Sequence, residues 1–354
     1  MRKTTKLLLP FLGLIITGLL GIQGCKRTSQ NQNPDTQNGR KLTVGVVFDS
    51  GGLGDKSFND SANVGLQKAK KVLGIRIKEV QSASAKDYQS NLQAMAQAGC
   101  SLIFAVGLNQ EDALLEVAPK YPHIDFAIVD GTVAAPNVRS LHFAAAQGSF
   151  LAGYLAGLVT KTNKLGFVGG EDLDLIKEFY VGFVAGAKTA NPKVIVFPAK
   201  YVGDWDNTDT AHAEALQLYG SGADIVYHAA GRAGLGVIAA AKEQQKYAIG
   251  VDSDQDYLAP GYVLTSMVKH VDEAVFQTIK DVQNKEFTSG VKVYDLKSNG
   301  VGLSPMTYTK ARIGASNIAK VEVIRKEIIA GKILVPSTPA QLRYYLSSLE
   351  NAGH

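Results

Sequence analysis

From Leu42 onward, short runs of β-branched and aliphatic residues alternate with longer stretches whose apolar positions recur every three or four residues. The runs predict strands over Leu42–Phe48, Ile75–Val80, Ser101–Val106, Asp125–Val129 and Arg139–Phe143. A second series follows at Leu165–Val168, Val194–Tyr201, Asp224–His228, Tyr247–Val251 and Val263–Val268. Between them the helical spacing predicts helices over Phe58–Leu73, Lys86–Ala98, Asn109–Ala118, Gln147–Thr160, Leu173–Thr189, Thr208–Gly220, Gly234–Lys246, Val271–Asn284 and Asn317–Gly331. Ser57, Asp87 and Asp206 or Asn207 stand where caps or first-turn acids belong. Repeated βα units of this kind predict an α/β protein, with each series winding its own parallel sheet. Two such lobes leave a crevice between them, and ligands of open α/β sheets lie at the carboxyl ends of strands.

The residues at those ends are therefore the candidates. The first strand runs into Phe48-Asp49-Ser50-Gly51-Gly52-Leu53-Gly54-Asp55-Lys56-Ser57-Phe58-Asn59, where glycines permit close backbone approach, and carboxylates, an amide and a ring follow. Read alone, this is also a Gly-rich turn capped by Ser57 or Asp55. Asp130 leaves the fourth strand, Asp252 leaves a strand of the second series, and Lys269 closes the last. His228 precedes another glycine-rich turn, Gly231-Arg232-Ala233-Gly234-Leu235-Gly236, whose spacing differs from the dinucleotide fingerprint. Carboxylates at several strand ends suit vicinal hydroxyls and amino groups, an aromatic ring suits a planar base, and the set repels a phosphate.

The ends of the chain set its surroundings. Met1-Arg2-Lys3-Thr4-Thr5-Lys6 and the apolar run Leu7 to Gly21 read as a signal segment too short for a comfortable membrane span. It ends in Ile22-Gln23-Gly24-Cys25, similar to the bacterial lipobox, which makes Cys25 the lipidation site. Residues 26–40 carry no aliphatic side chain and read as a flexible tether. Cys100, the only other cysteine, sits in an apolar run and reads as a buried hydrophobe. The net charge of +5 falls to +2 once Arg2, Lys3 and Lys6 leave with the signal, no footprint for nucleic acid. Scattered histidines and the lack of HExxH, CxxC or GxSxG motifs argue against an enzyme, a metal site or a cofactor.

The lipobox, the Asp49 to Asn59 segment, Ile249-Gly250-Val251-Asp252-Ser253-Asp254-Gln255 and Leu264-Thr265-Ser266-Met267-Val268-Lys269 resemble the basic membrane protein family of bacterial lipoproteins, over essentially all of residues 41–335. The family includes purine-nucleoside-binding components of ABC importers. The resemblance implies a two-lobe type I periplasmic-binding-protein fold with three chain crossings. They would lie near Phe143–Gln147, Gly250–Asp254 and Lys285–Val291. The division it implies is a signal peptide 1–24, a tether 25–40, a first lobe 41–145 plus 252–288, a second lobe 146–251 plus 289–340, and a tail 341–354. It further implies Phe58 stacking on the base, Asp130 and Asn59 on base edges, and Asp252, Lys269 and Asp49 on ribose hydroxyls, with Gly231 among the ligand-binding residues where the family loop commonly reads Gly-Gly. A second ring would come from the opposite lobe, either His228 or Trp205. The implied partners are a nucleoside, an ABC permease with its ATPase, and the membrane through the lipid on Cys25, with the protein acting as a monomer. Rival readings are a sugar receptor of the same fold, a secreted nucleoside hydrolase using Asp49 and Asp55, and a surface protein that contacts macromolecules.

Overall fold

The computed structural model describes residues 41–352, so the expected signal, Cys25 and the tether lie outside the described residues. The chain begins β1 (Thr43–Phe48), α1 (Phe58–Leu73), β2 (Arg76–Gln81), α2 (Tyr88–Gln97), β3 (Leu102–Val106), α3 (Glu111–Val117), β4 (Asp125–Val129) and β5 (Val138–Phe143). It then passes to α4 (Ala145–Val159), β6 (Lys164–Gly169), α5 (Asp174–Ala190), β7 (Ile195–Val196), β8 (Lys200–Tyr201), α6 (Thr208–Gly220), β9 (Ile225–Ala229), α7 (Gly234–Glu243), β10 (Tyr247–Asp252) and β11 (Val263–Lys269). The remainder is α8 (Val271–Gln283), β12 (Gly290–Tyr294), β13 (Val301–Leu303), α9 (Lys310–Ile313), α10 (Ala315–Ile329) and α11 (Pro339–Ala352).

The strands form two sheets. The first runs β2-β1-β3-β4-β5-β12, all parallel. The second runs β7-β6-β9-β10-β11-β13, parallel except for the antiparallel edge β13, with β8 also on β6. Strands β1, β3 and β4 are almost wholly buried and read as continuous apolar runs, as a sheet covered by helices on both faces requires. In each sheet the winding reverses beside its first strand, between β1 and β3 and between β6 and β9. Such reversals open the crevice in which doubly wound sheets bind ligands.

The lobe boundaries correct the expected division. The division implied by the resemblance put Val263–Lys269 in the first lobe, whereas the strand pattern put it in the second series, and the strand does pair with β10 and β13 in the second sheet, buried along its length. Gly290–Tyr294 was assigned to the second lobe, yet it pairs in register with β5 of the first. The second and third crossings therefore fall at His270 and at 295–300, each later than expected. Burial follows position: β11, paired on both sides, is buried throughout Val263–Met267, whereas β12 leaves Val291 and Val293 exposed as an edge strand does. The crossings are tied together, since Ala144 N–H donates to Tyr294 O at 2.9 Å and His270 N–H to Gly300 O at 2.9 Å.

Two further expectations give way. Val194–Tyr201 is interrupted between β7 and β8, where Pro198 offers no N–H to a ladder. The expected tail contains α11, which lies against α5, with Tyr345 and Thr189 hydroxyls 2.9 Å apart. Among the described residues no helix is long and apolar enough to cross a membrane.

Candidate functional site

The β1–α1 connection is built around Asp55, not Ser57. The Asp55 carboxylate accepts from the backbone N–H groups of Ser57, Asn59 and Asp60 at 2.9, 2.8 and 3.0 Å, satisfying the open amides at the start of α1. Ser57, freed from capping, turns to the other lobe and donates to Asp252 Oδ2 at 2.6 Å. Asn59 Nδ2 donates to Asp49 Oδ1 at 2.9 Å and Asp55 Oδ2 at 3.1 Å. Two carboxylates accept only, so they fix the amide with its oxygen turned the other way. That oxygen is buried and has no partner. Asp49 also accepts from Gly51 N–H at 3.0 Å, and burial pushes its carboxyl up to about 6 against the opposing help of Asn59. Gly107, at φ +116°, leaves room for this carboxylate: a Cβ there would lie 3.0 Å from Asp49 Oδ2.

Across the cleft, Lys269 at the end of β11 pairs with Asp130, and its Nζ lies 3.7 Å from Asp252 Oδ1. All three side chains are almost wholly buried. Burial pulls the Lys269 ammonium down, but Asp130 and Asp252 outweigh it and hold the group above its ordinary value. Asp252 is raised by burial, with Lys269 and the Ser57 hydroxyl working against the rise. Both aspartates leave their strands in the left-handed region, at φ +68° and +63°, a conformation that aspartate tolerates better than most residues. Asp130 Oδ1 is a second buried acceptor without a partner. The Lys269 ammonium also lies 4.8 Å from the centre of the Phe58 ring and 5.8 Å from that of Phe179.

These groups line an interlobe cavity whose empty space, open solvent at its mouth included, is about 630 Å3. Of the residues expected from the sequence, Asp49, Phe58, Asn59, Asp130, Gly231, Asp252 and Lys269 all meet there. His228 does not. It points behind the cleft, fully buried, with Nε2 3.1 Å from Gln255 Oε1 and its ring packed where a Cβ on Gly234 would clash at 2.0 Å from Nδ1. Burial pushes this imidazole down to about 4, so it stays neutral.

Trp205, the alternative ring, does line the cavity, and so does Phe179 of α5. Phe179 was overlooked because it sits in a helix read only for its core face. Leu175, Ile176 and Phe179 fall on one stripe of the first turns of α5, which follow β6, and helical spacing after a strand end would have flagged them. Gly107, Leu108 and Asn109 were missed although they follow β3 as Asp130 follows β4.

Among the described residues, no group of three acidic, histidine or cysteine side chains is arranged to hold a metal ion. Two doubly wound lobes meeting over a deep cleft define the type I periplasmic-binding fold of solute-binding receptors. The chain belongs to the PnrA-like family of ABC transporter substrate-binding proteins, the Bmp family, whose model matches residues 42–338. It is 36% identical over 319 residues to the ABC transporter nucleoside-binding protein BmpA of Lactococcus lactis, covering 84% of this chain and 89% of that one. It is 37% identical over 355 residues to the CD4+ T-cell-stimulating antigen of Listeria innocua, covering 93% of this chain and 98% of that one. Among solved structures, a solute-binding protein of an ABC transporter system from Aeropyrum pernix K1 superposes with a TM-score of 0.77 at 27% identity, covering 88% of this chain and 98% of that one.

Proposed function

We propose that this chain is a lipid-anchored, non-catalytic receptor that captures a purine nucleoside between its lobes and presents it to an ABC permease. Two orphaned acceptors carry the reading: Asn59 Oδ1 and Asp130 Oδ1 are buried, partnerless and in the wall of a cavity that also holds the Phe58 ring. A buried acceptor left unpaired costs about 1–3 kcal/mol, so the pair calls for a ligand with donors on a planar edge. A purine base offers these. In this reading Phe58 stacks on the base, with Trp205 or Phe179 as the wall opposite, and Asn59 and Asp130 take its edge. Asp49 and Asp252 accept from the ribose hydroxyls, and Lys269 donates to them. The relative named as nucleoside-binding supports the same ligand class.

Cys25 would carry the lipid, residues 26–40 would serve as the tether outside the cytoplasm, and the receptor would act as a monomer. Closure would proceed by rotation about the three crossings, presenting a closed shape to the permease. Calorimetric titration of the ligand-stripped full chain with adenosine, guanosine, inosine and cytidine tests the reading, with galactose as the sugar control. Binding of purine nucleosides is expected. No heat with any nucleoside refutes it, and binding of galactose alone would make it a sugar receptor.

A further inference from the structure

Among the described residues, Lys269 and Arg232 are the cationic side chains lining the cleft, and the proposed ligand set uses only Lys269. Arg232 stands on the short helical turn Gly231–Ala233 after β9, in the second lobe. That turn is anchored by Ala233 N–H donating to Trp205 O at 2.9 Å. The guanidinium reaches across to the first lobe, where Nε and Nη2 donate to Gly51 O at 3.2 and 2.9 Å, and Nη2 donates to Leu53 O at 2.7 Å. Among the described residues it forms no ion pair.

The receiving loop is built to offer those carbonyls. Its own N–H groups are committed inside the first lobe: Gly51 and Gly52 to Asp49 Oδ1 and O, Leu53 to Gln81 Oε1 at 2.8 Å, and Gly54 to Asp60 Oδ1 at 2.7 Å. Gly52 and Gly54 sit at φ +59° and +90°, which lets the backbone turn tightly between these anchors. The loop is thus held rigid with the Gly51 and Leu53 carbonyls facing the other lobe. A planar guanidinium donates to two such acceptors from a fixed fork, a geometry an ammonium on a flexible stem does not hold.

We propose that Arg232 is an interlobe latch: its hydrogen bonds to Gly51 and Leu53 must break before the cleft opens, so it sets how long a bound ligand stays. It is a positioning residue that acts through the loop carbonyls and not through the base. Two measurements on the full chain test this. In stopped-flow exchange, Arg232→Ala is expected to raise the dissociation rate about tenfold, the scale of charge-assisted hydrogen bonds lost on opening, and to raise the association rate as well, because the ligand-free cleft spends more time open. The increase should be the same for adenosine, guanosine and inosine, and Arg232→Lys should fall between the two. An unchanged dissociation rate, or an increase confined to one base, overturns the latch.

The kinetic arm rests on the nucleoside reading, and small-angle scattering of the ligand-free protein does not. The ligand-free chain with Arg232→Ala should show a larger radius of gyration than the parent, because the closed form loses its tie. Equal radii overturn the proposal whatever the ligand proves to be. Should Arg232→Ala fail to fold, Arg232→Lys carries both measurements, with the same directions expected and the same null results decisive. Failure of the parent to bind any nucleoside, with the scattering difference present, would refute the ligand assignment and leave the latch standing.

Discussion

Asp49, half-buried, and His228, fully buried, both stand at strand ends, and loss of solvation moves them in opposite directions. Asp49 is lifted from 3.8 to about 6, so between those values the folded chain holds its proton more tightly than the unfolded chain. Its contribution to stability is therefore full below 3.8 and is lost as pH rises through 6. Ligand binding runs the other way, because only the ionised carboxylate accepts from two hydroxyls. Nucleoside affinity should be constant above pH 7 and about tenfold weaker at pH 5, one unit below this value. Calorimetry across that range checks it, and a flat profile would take Asp49 out of the ligand set. His228 is lowered from 6.5 to about 4, so its contribution is present above 6.5 and is lost as pH falls through 4. Since it lies behind the cleft on Gln255, His228→Ala should cost about 1–3 kcal/mol in urea unfolding and leave the order of nucleoside affinities unchanged. A change in that order would return His228 to the site.

At the scale of elements, close helix pairs depend on glycines whose purpose the sequence conceals. A Cβ on Gly153 of α4 would lie 2.0 Å from Phe183 O of α5, and one on Gly186 of α5 would lie 2.0 Å from Phe150 O of α4. The helices are packed backbone to backbone, and an added methyl has only the opposite main chain to displace. Gly153→Ala should therefore destabilise by about 1–3 kcal/mol despite the better helix propensity of alanine, a loss read from the urea midpoint. A gain in stability would mean that the helices separate freely. The same distinction governs what was legible beforehand. Buried parallel strands and amphipathic helices announce themselves by period, which is why α6 is predicted residue for residue over Thr208–Gly220. Strand-end chemistry is equally local, so Asp49, Asp130, Asp252 and Lys269 were readable. Sheet membership is not always local: nothing in Gly290–Tyr294 states that it will return to pair with β5 of the first sheet before the chain crosses to β13. Side-chain direction is only partly hidden: Asp55 was legible as the cap of α1, but the turn of Ser57 toward Asp252 in the other lobe was not.

At the scale of the whole molecule, the lobes meet through a few polar contacts around one buried charge cluster. Ser253 Oγ donates to Ser57 O at 3.2 Å and Gln255 Nε2 to Lys56 O at 3.0 Å, while Lys269 of the second lobe holds Asp130 of the first. Neutral contacts of this kind exchange readily with water, but the charge cluster does not, because opening must rehydrate a lysine and two aspartates that now compensate one another. Lys269 would thus pin closure electrostatically as well as donate to the proposed ligand. Lys269→Met removes the ammonium that opposes the burial-driven rise of Asp252, so that carboxyl rises further. Its folded value then exceeds its unfolded value by more than before, and the added penalty falls on the ionised form. The variant should lose about 3–5 kcal/mol at pH 7.5, as expected when one partner of a buried ion cluster is deleted, and markedly less at pH 5. Urea unfolding at the two pH values reads the difference. Equal losses at both would mean that Lys269 supports the fold by packing against Phe58 and Phe143, and that closure is held by hydrogen bonds alone.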